Sequence, residues 1–141
     1  MFNRWAALAL VLALWLTPKQ AAGQQSEPRG RKSGTLGQNF PNPFNPETTI
    51  PFAVGDDGCT DGGKQHQVSL RIYNVLAQVV AIPILQGSAQ PLSNVSLTCG
   101  QYTAYWDGKY LNTGKEVASG VYLYELVVDG QRFAKKMFVA K

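Results

Sequence analysis

The residues able to do chemistry are few: a single histidine, His66, two cysteines, Cys59 and Cys99, and one acidic cluster, Asp56, Asp57 and Asp61. Hydrolysis or group transfer needs a nucleophile held beside a base, or a metal in a donor shell. His66 stands between Gln65 and Gln67 at the mouth of a strand-like run and reads as a solvated loop imidazole. Structural zinc is usually bound by four ligands, and only His66 could join the two thiols. Calcium in an Asp-x-Asp-x-Asp-Gly loop needs a spacing that DDGCTDGG, Asp56 to Gly63, does not have. Asp107 and Asn112 raise the same question, and Asp107 reads instead as a turn-maker whose carboxylate satisfies nearby amides. The expectation is a non-enzymatic protein without cofactor, metal or small-molecule substrate.

The cysteines suggest a different kind of chemistry. Met1 to Gly23 combines a basic start at Arg4, an apolar run from Ala6 to Leu16 and the small residues Ala21, Ala22 and Gly23, which is the layout of a secretory signal peptide. The run is too short for a permanent span, which takes about 20 apolar residues. An exported chain meets an oxidising compartment, so Cys59 and Cys99 are expected to pair. If strands run alternately up and down, both cysteines fall at the same end of the fold. Closing a loop of about 40 residues stabilises a fold by roughly 4 kcal/mol in the chain-entropy model. Losing Arg4 and Lys19 with the signal lowers the formal charge of +4 by two, leaving a nearly neutral protein. Arg29, Arg31 and Lys32 lie in a polar stretch, residues 24–35, that reads as a flexible linker. Without interleaved aromatics this basic cluster does not suggest a nucleic-acid partner.

The elements that position these groups are short strands. From Thr48 onward, alternation and turn signals recur with no sustained helical period, the pattern of an all-β chain. Thr48 to Val54 is strand-like, with Pro51 placing it at an edge or bulge. Gly55 to Lys64 is a loop. Val68, Leu70 and Ile72 alternate with Ser69, Arg71 and Tyr73, as in a half-buried antiparallel strand. A tight turn leads into Val79 to Leu85, read as one strand with Pro83 marking an edge. Gly100 to Gly108 puts Tyr102, Ala104 and Trp106 on one face, with Trp106 the leading core residue. Asp129-Gly130, between Val121 to Val128 and Arg132 to Lys141, is a strong hairpin signal. Tyr105, Tyr110, Tyr122 and Tyr124 read as core or cross-strand residues rather than a ligand platform. Lys135 and Lys136, adjacent on the last strand, point to opposite faces and suit a sheet edge. Six or seven strands in about 95 residues fit an immunoglobulin-like antiparallel β-sandwich, the domain spanning residues 36–141.

Before the first of these strands stands PNPFNPETTI, Pro41 to Ile50. Pro41, Pro43 and Pro46 stiffen it and remove backbone donors, Asn42 and Asn45 favour turns, and Phe40 and Phe44 offer two apolar anchors. Both rings are expected to hold the ribbon against the sandwich. With Leu36, Gln38 and Asn39 upstream, this wording resembles the opening of the sorting domain of bacterial proteins exported by type IX secretion. Gly100 to Leu126, with Trp106-Asp107-Gly108 and then Ala118-Ser119-Gly120-Val121-Tyr122, is similar to the immunoglobulin-like module of flagellar hook-capping proteins and of many type IX sorting domains. Val68 to Val80 matches the same family's strand, turn and strand, except that Ala77 stands where the family usually has glycine. An alanine there is strained if the turn needs a positive φ.

The resemblance implies a secreted, non-catalytic module that acts as a sorting or anchoring signal. The chain would pass through the periplasm to the cell surface or beyond, recognised by outer-membrane secretion machinery. It implies Phe40, Pro41, Asn42, Pro43, Phe44, Asn45, Pro46, Trp106, Asp107, Gly108, Gly120 and Tyr122 as the motif residues. No cargo domain is expected between Gly23 and Leu36, which leaves open a small extracellular adhesion module that binds a protein by strand addition. A hook-cap-like assembly protein is a third reading.

Overall fold

The computed structural model describes residues 32–141. The signal peptide expected over residues 1–23 and most of the linker expected over 24–35 lie outside them. The described chain is all-β: β1 (Gly34–Leu36), β2 (Thr48–Val54), β3 (Gln65–Tyr73), β4 (Val79–Ala81), β5 (Ile84–Leu85), β6 (Val95–Thr98), β7 (Gly100–Trp106), β8 (Gly120–Val128) and β9 (Gln131–Val139). Among the described residues there is no helix. All strand pairs are antiparallel and form two sheets, one ordered β1-β2-β7-β5 and the other β4-β3-β8-β9, with β6 also paired to β3.

Alternation along the strands makes the core. Ile50, Phe52 and Val54 of β2 and Ala104 and Trp106 of β7 face inward from one sheet. Val68, Leu70 and Ile72 of β3, Tyr122, Tyr124, Leu126 and Val128 of β8, and Met137 and Val139 of β9 meet them from the other. Burying side chains from both inner faces in one cluster is what makes two half-polar sheets stable together.

The structure departs from the expected strands in four places. β2 is neither an edge strand nor bulged at Pro51, since it lies between β1 and β7 in unbroken register with β7, and Pro51 bonds Gly37 through its carbonyl alone. Val79 to Leu85 is two strands in different sheets, because the chain crosses between sheets at Ile82 and Pro83. Proline cannot donate to a ladder and so marks the break. β6 was not foreseen, and Cys99 is the crossover from it to β7 in the opposite sheet. β1 begins inside the stretch read as linker, at Gly34, and ends at Leu36. Its glycine allows this, since a Cβ on Gly34 would sit 2.8 Å from the Ala53 carbonyl oxygen. Among the described residues there are therefore nine strands rather than six or seven.

Other expectations hold locally. Cys59 and Cys99 are disulfide-bonded, with Cα atoms 5.4 Å apart. Asp129 and Gly130 have φ of 49° and 82° in a two-residue hairpin turn. Ala77, in the β3–β4 turn, has φ of 60°, the left-handed conformation suspected from the missing glycine. β9 is an edge strand, and Lys135 and Lys136 are both exposed on it.

Candidate functional site

The proline ribbon enters the fold through a hydroxyl. Gly37 donates its amide to the Pro51 carbonyl at 2.8 Å, but Pro51 has no N–H to return the bond. The Gly37 carbonyl instead accepts from the Tyr124 hydroxyl at 2.8 Å, and that oxygen accepts the Asn39 amide at 3.0 Å. Tyr124 is fully buried, and burial raises its pKa. Asn39 is buried too, and its side-chain amide donates to the Pro41 carbonyl and to Thr48 Oγ1, both at 3.1 Å.

Phe40 does not anchor the ribbon. It exchanges backbone bonds with Thr49 in an antiparallel bridge, which turns the two side chains away from the core, and its ring is 75% exposed. Phe44 does anchor it, at 1% exposure. The Phe44 amide donates to the Phe138 carbonyl at 3.0 Å, its carbonyl accepts the Ala140 amide at 3.1 Å, and Asn42 Oδ1 accepts the Phe138 amide at 3.0 Å. The ribbon thus adds a short parallel bridge to the end of β9, with Val139 between Phe44 and Gly120.

The Phe44 ring meets Trp106 edge-on at 5.4 Å between centroids, and Trp106 meets Tyr122 of the other sheet at 6.0 Å. Such edge-to-face pairs contribute roughly 0.5–1.5 kcal/mol beyond area burial. Trp106 Nε1 donates to the Lys109 carbonyl at 3.1 Å, and Asp107 Oδ1 accepts the Lys109 amide at 3.0 Å. Gly108 is required twice over: its φ is 76°, and a Cβ there would lie 2.0 Å from the Pro46 carbonyl oxygen. The Tyr122 hydroxyl donates to the Ala118 carbonyl at 2.8 Å. Beside Pro46, the Glu47 carboxylate accepts from the Tyr105 hydroxyl, and that bond pushes the phenol up to about 12.

Of the motif residues, Asn42, Phe44, Pro46, Trp106, Gly108, Gly120 and Tyr122 are thus brought together at one end of the sheets. Asp107 shapes the turn beside them. Pro41, Asn42, Pro43, Asn45 and Pro46 expose their side chains to solvent, and the peptide bonds before Pro41, Pro43 and Pro46 are cis.

His66 is a correction. It is no loop residue but part of β3, 5% exposed, on the inward face two positions before Val68. Nε2 lies 2.7 Å from Asp61 Oδ2 and Nδ1 2.6 Å from Asp129 Oδ2. The bond to Asp61 is the main reason its pKa is raised; burial opposes this and Asp129 adds to it. Bonding to His66 holds Asp61 below the usual carboxylate range. For Asp129, partial burial opposes, but the Gln67 amide at 2.9 Å and His66 together bring it down. With both ring nitrogens engaged, the imidazole has no lone pair free for a substrate proton. Asp56 bonds Thr60 through both its oxygens, and among the described residues no group of three or more acidic, His or Cys side chains is arranged to hold a metal.

No family model matches the chain, and no curated protein matches it. Among solved structures it is similar to the Pseudomonas fluorescens alkylpurine DNA glycosylase AlkC, determined bound to DNA containing an abasic site analog, with a TM-score of 0.51 and 12% identity. The match covers 79% of this chain but 31% of that one, so this chain corresponds to less than a third of the glycosylase. At that identity the likeness concerns the fold alone.

Proposed function

We propose that this chain is a secreted, non-catalytic immunoglobulin-like sandwich that serves as a sorting or anchoring module for type IX secretion. In this reading residues 1–23 direct export to the periplasm, and the folded domain is then recognised by outer-membrane machinery for delivery to the cell surface or medium. One observation carries the reading. The two sequence stretches that resemble the sorting family, the proline ribbon and the Trp106-Asp107-Gly108 turn, are far apart in the chain yet fit each other through Phe44 on Trp106 and Pro46 on Gly108. A linker would have no reason to dictate a glycine in a distant turn.

A reporter carrying a signal peptide and fused ahead of residues 24–141 tests this in a host with the secretion machinery. Translocon-dependent appearance at the surface is the expected result, and retention in the periplasm would refute it. Retention would favour the second reading, a module that binds a protein partner by strand addition. That reading is supported by β9 being the last strand of its sheet, with no further strand among those described paired to its outer side from Arg132 to Ala134.

A further inference from the structure

At the end of the sheets away from Trp106, three segments converge on His66: the β2–β3 loop (residues 55–64), the β8–β9 turn and the start of β3. The loop is held at its middle by the Cys59–Cys99 disulfide and at its beginning by the Gly55 amide, which donates to the Ser33 carbonyl at 2.7 Å. Its second half, from Asp61 to Lys64, has the His66 contact as its one side-chain bond to another element among those described. The turn meets His66 through Asp129, and it is also held to β3 by Gln67, whose amide donates to Asp129 Oδ1 and whose carbonyl accepts the Asp129 amide, both at 2.9 Å.

A neutral imidazole has one N–H, so it can donate to one carboxylate only. The other ring nitrogen would then turn a lone pair toward a carboxylate oxygen closer than 3 Å, which is repulsive. Two such contacts, at 2.6 and 2.7 Å, require the imidazolium. We propose that His66 is a pH-operated latch: as imidazolium it ties the disulfide-tethered loop, through Asp61, to β3 and the Asp129 turn, and on losing its proton it releases the loop.

The charges around the latch favour this. Asp61 faces it from the loop, with Asp56 further back on the same loop, and Asp129 faces it from the turn. Lys64 and Lys32 line the same cavity of about 300 Å³, and Leu97, opposite on β6, does not titrate. The raised His66 pKa fixes the sign. The latch is fully closed below the ordinary value of 6.5 and is lost as pH rises through the higher folded-state value. Between the two, the ratio of open to closed loop rises about tenfold per pH unit, since one proton is released per opening. Asp61 and Asp129, whose values are lowered, open it from the other side only below the ordinary 3.8. The core around Trp106, at the far end, is unaffected.

The test is an NMR titration of the full ¹⁵N-labelled chain with its disulfide intact, reading the His66 ring nitrogens and the heteronuclear NOE of amides in residues 60–64. Both ring nitrogens should remain protonated past pH 6.5, and the loop amides should lose order with the same midpoint. Asp61→Asn should lower that midpoint, and His66→Gln should abolish the step in loop order. If the glutamine variant does not fold, the Asp61→Asn midpoint decides alone. A midpoint at or below 6.5, loop amides equally ordered throughout, or an Asp61→Asn midpoint unchanged from the parent would overturn the proposal.

Discussion

Phe40 and Phe44 make a matched pair of probes, because the two rings sit on the same short ribbon with opposite environments. Phe44 is 1% exposed and packs edge-on to Trp106, whereas Phe40 is 75% exposed and is held by its backbone alone. Truncating a buried Phe to Ala typically costs 3–5 kcal/mol, roughly, through lost transfer energy and the cavity left behind. Phe44→Ala should sit in that range because Trp106 and Tyr122 support one another across the sheets and leave little room for collapse into the gap. For a domain of this size each kcal/mol moves the midpoint by about 4 °C or more, so Phe44→Ala should melt at least about 12 °C below the parent. That loss is a large share of a total stability of about 5–15 kcal/mol. Phe40→Ala, a surface change, should stay within about 0.5 kcal/mol, or about 2 °C. Circular dichroism melts of the two variants and the parent, all with the disulfide intact, make the comparison. Equal effects of the two substitutions, or a Phe44→Ala midpoint within about 2 °C of the parent, would refute the packing argument.

Three further outcomes follow from the geometry. Ala77→Gly should raise stability by about 1 kcal/mol, because φ of 60° costs an L-residue roughly 1–2 kcal/mol and glycine removes most of that; urea unfolding would check it. Tyr124→Phe should cost about 1–3 kcal/mol in the same assay, since it removes the hydroxyl serving the Gly37 carbonyl and the Asn39 amide without creating a cavity. Differential scanning calorimetry across acid pH should show the melting temperature falling below about pH 3.8 as Asp61 and Asp129 protonate, and His66→Gln should weaken that fall, because the lowered carboxylate values depend on the imidazolium.

Much of this architecture could be read from local pattern, and the misses have identifiable physical causes. Val68, Leu70 and Ile72 alternate so regularly that their burial followed directly, and Trp106 and the Asp129-Gly130 turn were as plain. The same alternation, extended one step back from Val68, places His66 inward. Polarity argued for solvent, and two carboxylates, Asp61 in the adjoining loop and Asp129 in the distant β8–β9 turn, satisfy what polarity alone could not. Phe40 failed for the opposite reason. Apolar character suggested an anchor, but the bridge to Thr49 sets which side of the backbone faces in, and no property of Phe40 itself encodes that pairing. Pro83 suggests an edge within one strand, but whether a chain ends, bulges or changes sheet at a proline depends on where its next partner lies, here β7. β1 and β6 are three and four residues long, too short for alternation to distinguish from loop. Tyr124 reads as a core or cross-strand residue, but its service to a ribbon made donor-poor by Pro51 becomes visible only once Gly37 and Pro51 are paired.

The central claim is that the ribbon and the Trp106 turn form one folded unit that secretion machinery reads. Surface protease accessibility of a reporter fused ahead of residues 24–141 measures this most directly, comparing the parent sequence with Trp106→Ala in one host and in its translocon-deficient derivative. The account predicts surface delivery for the parent fusion in the competent host alone, and none for Trp106→Ala, which loses the ring joining Phe44 to Tyr122. A parent fusion that stays in the periplasm, or a Trp106→Ala fusion delivered as well as the parent, would contradict it.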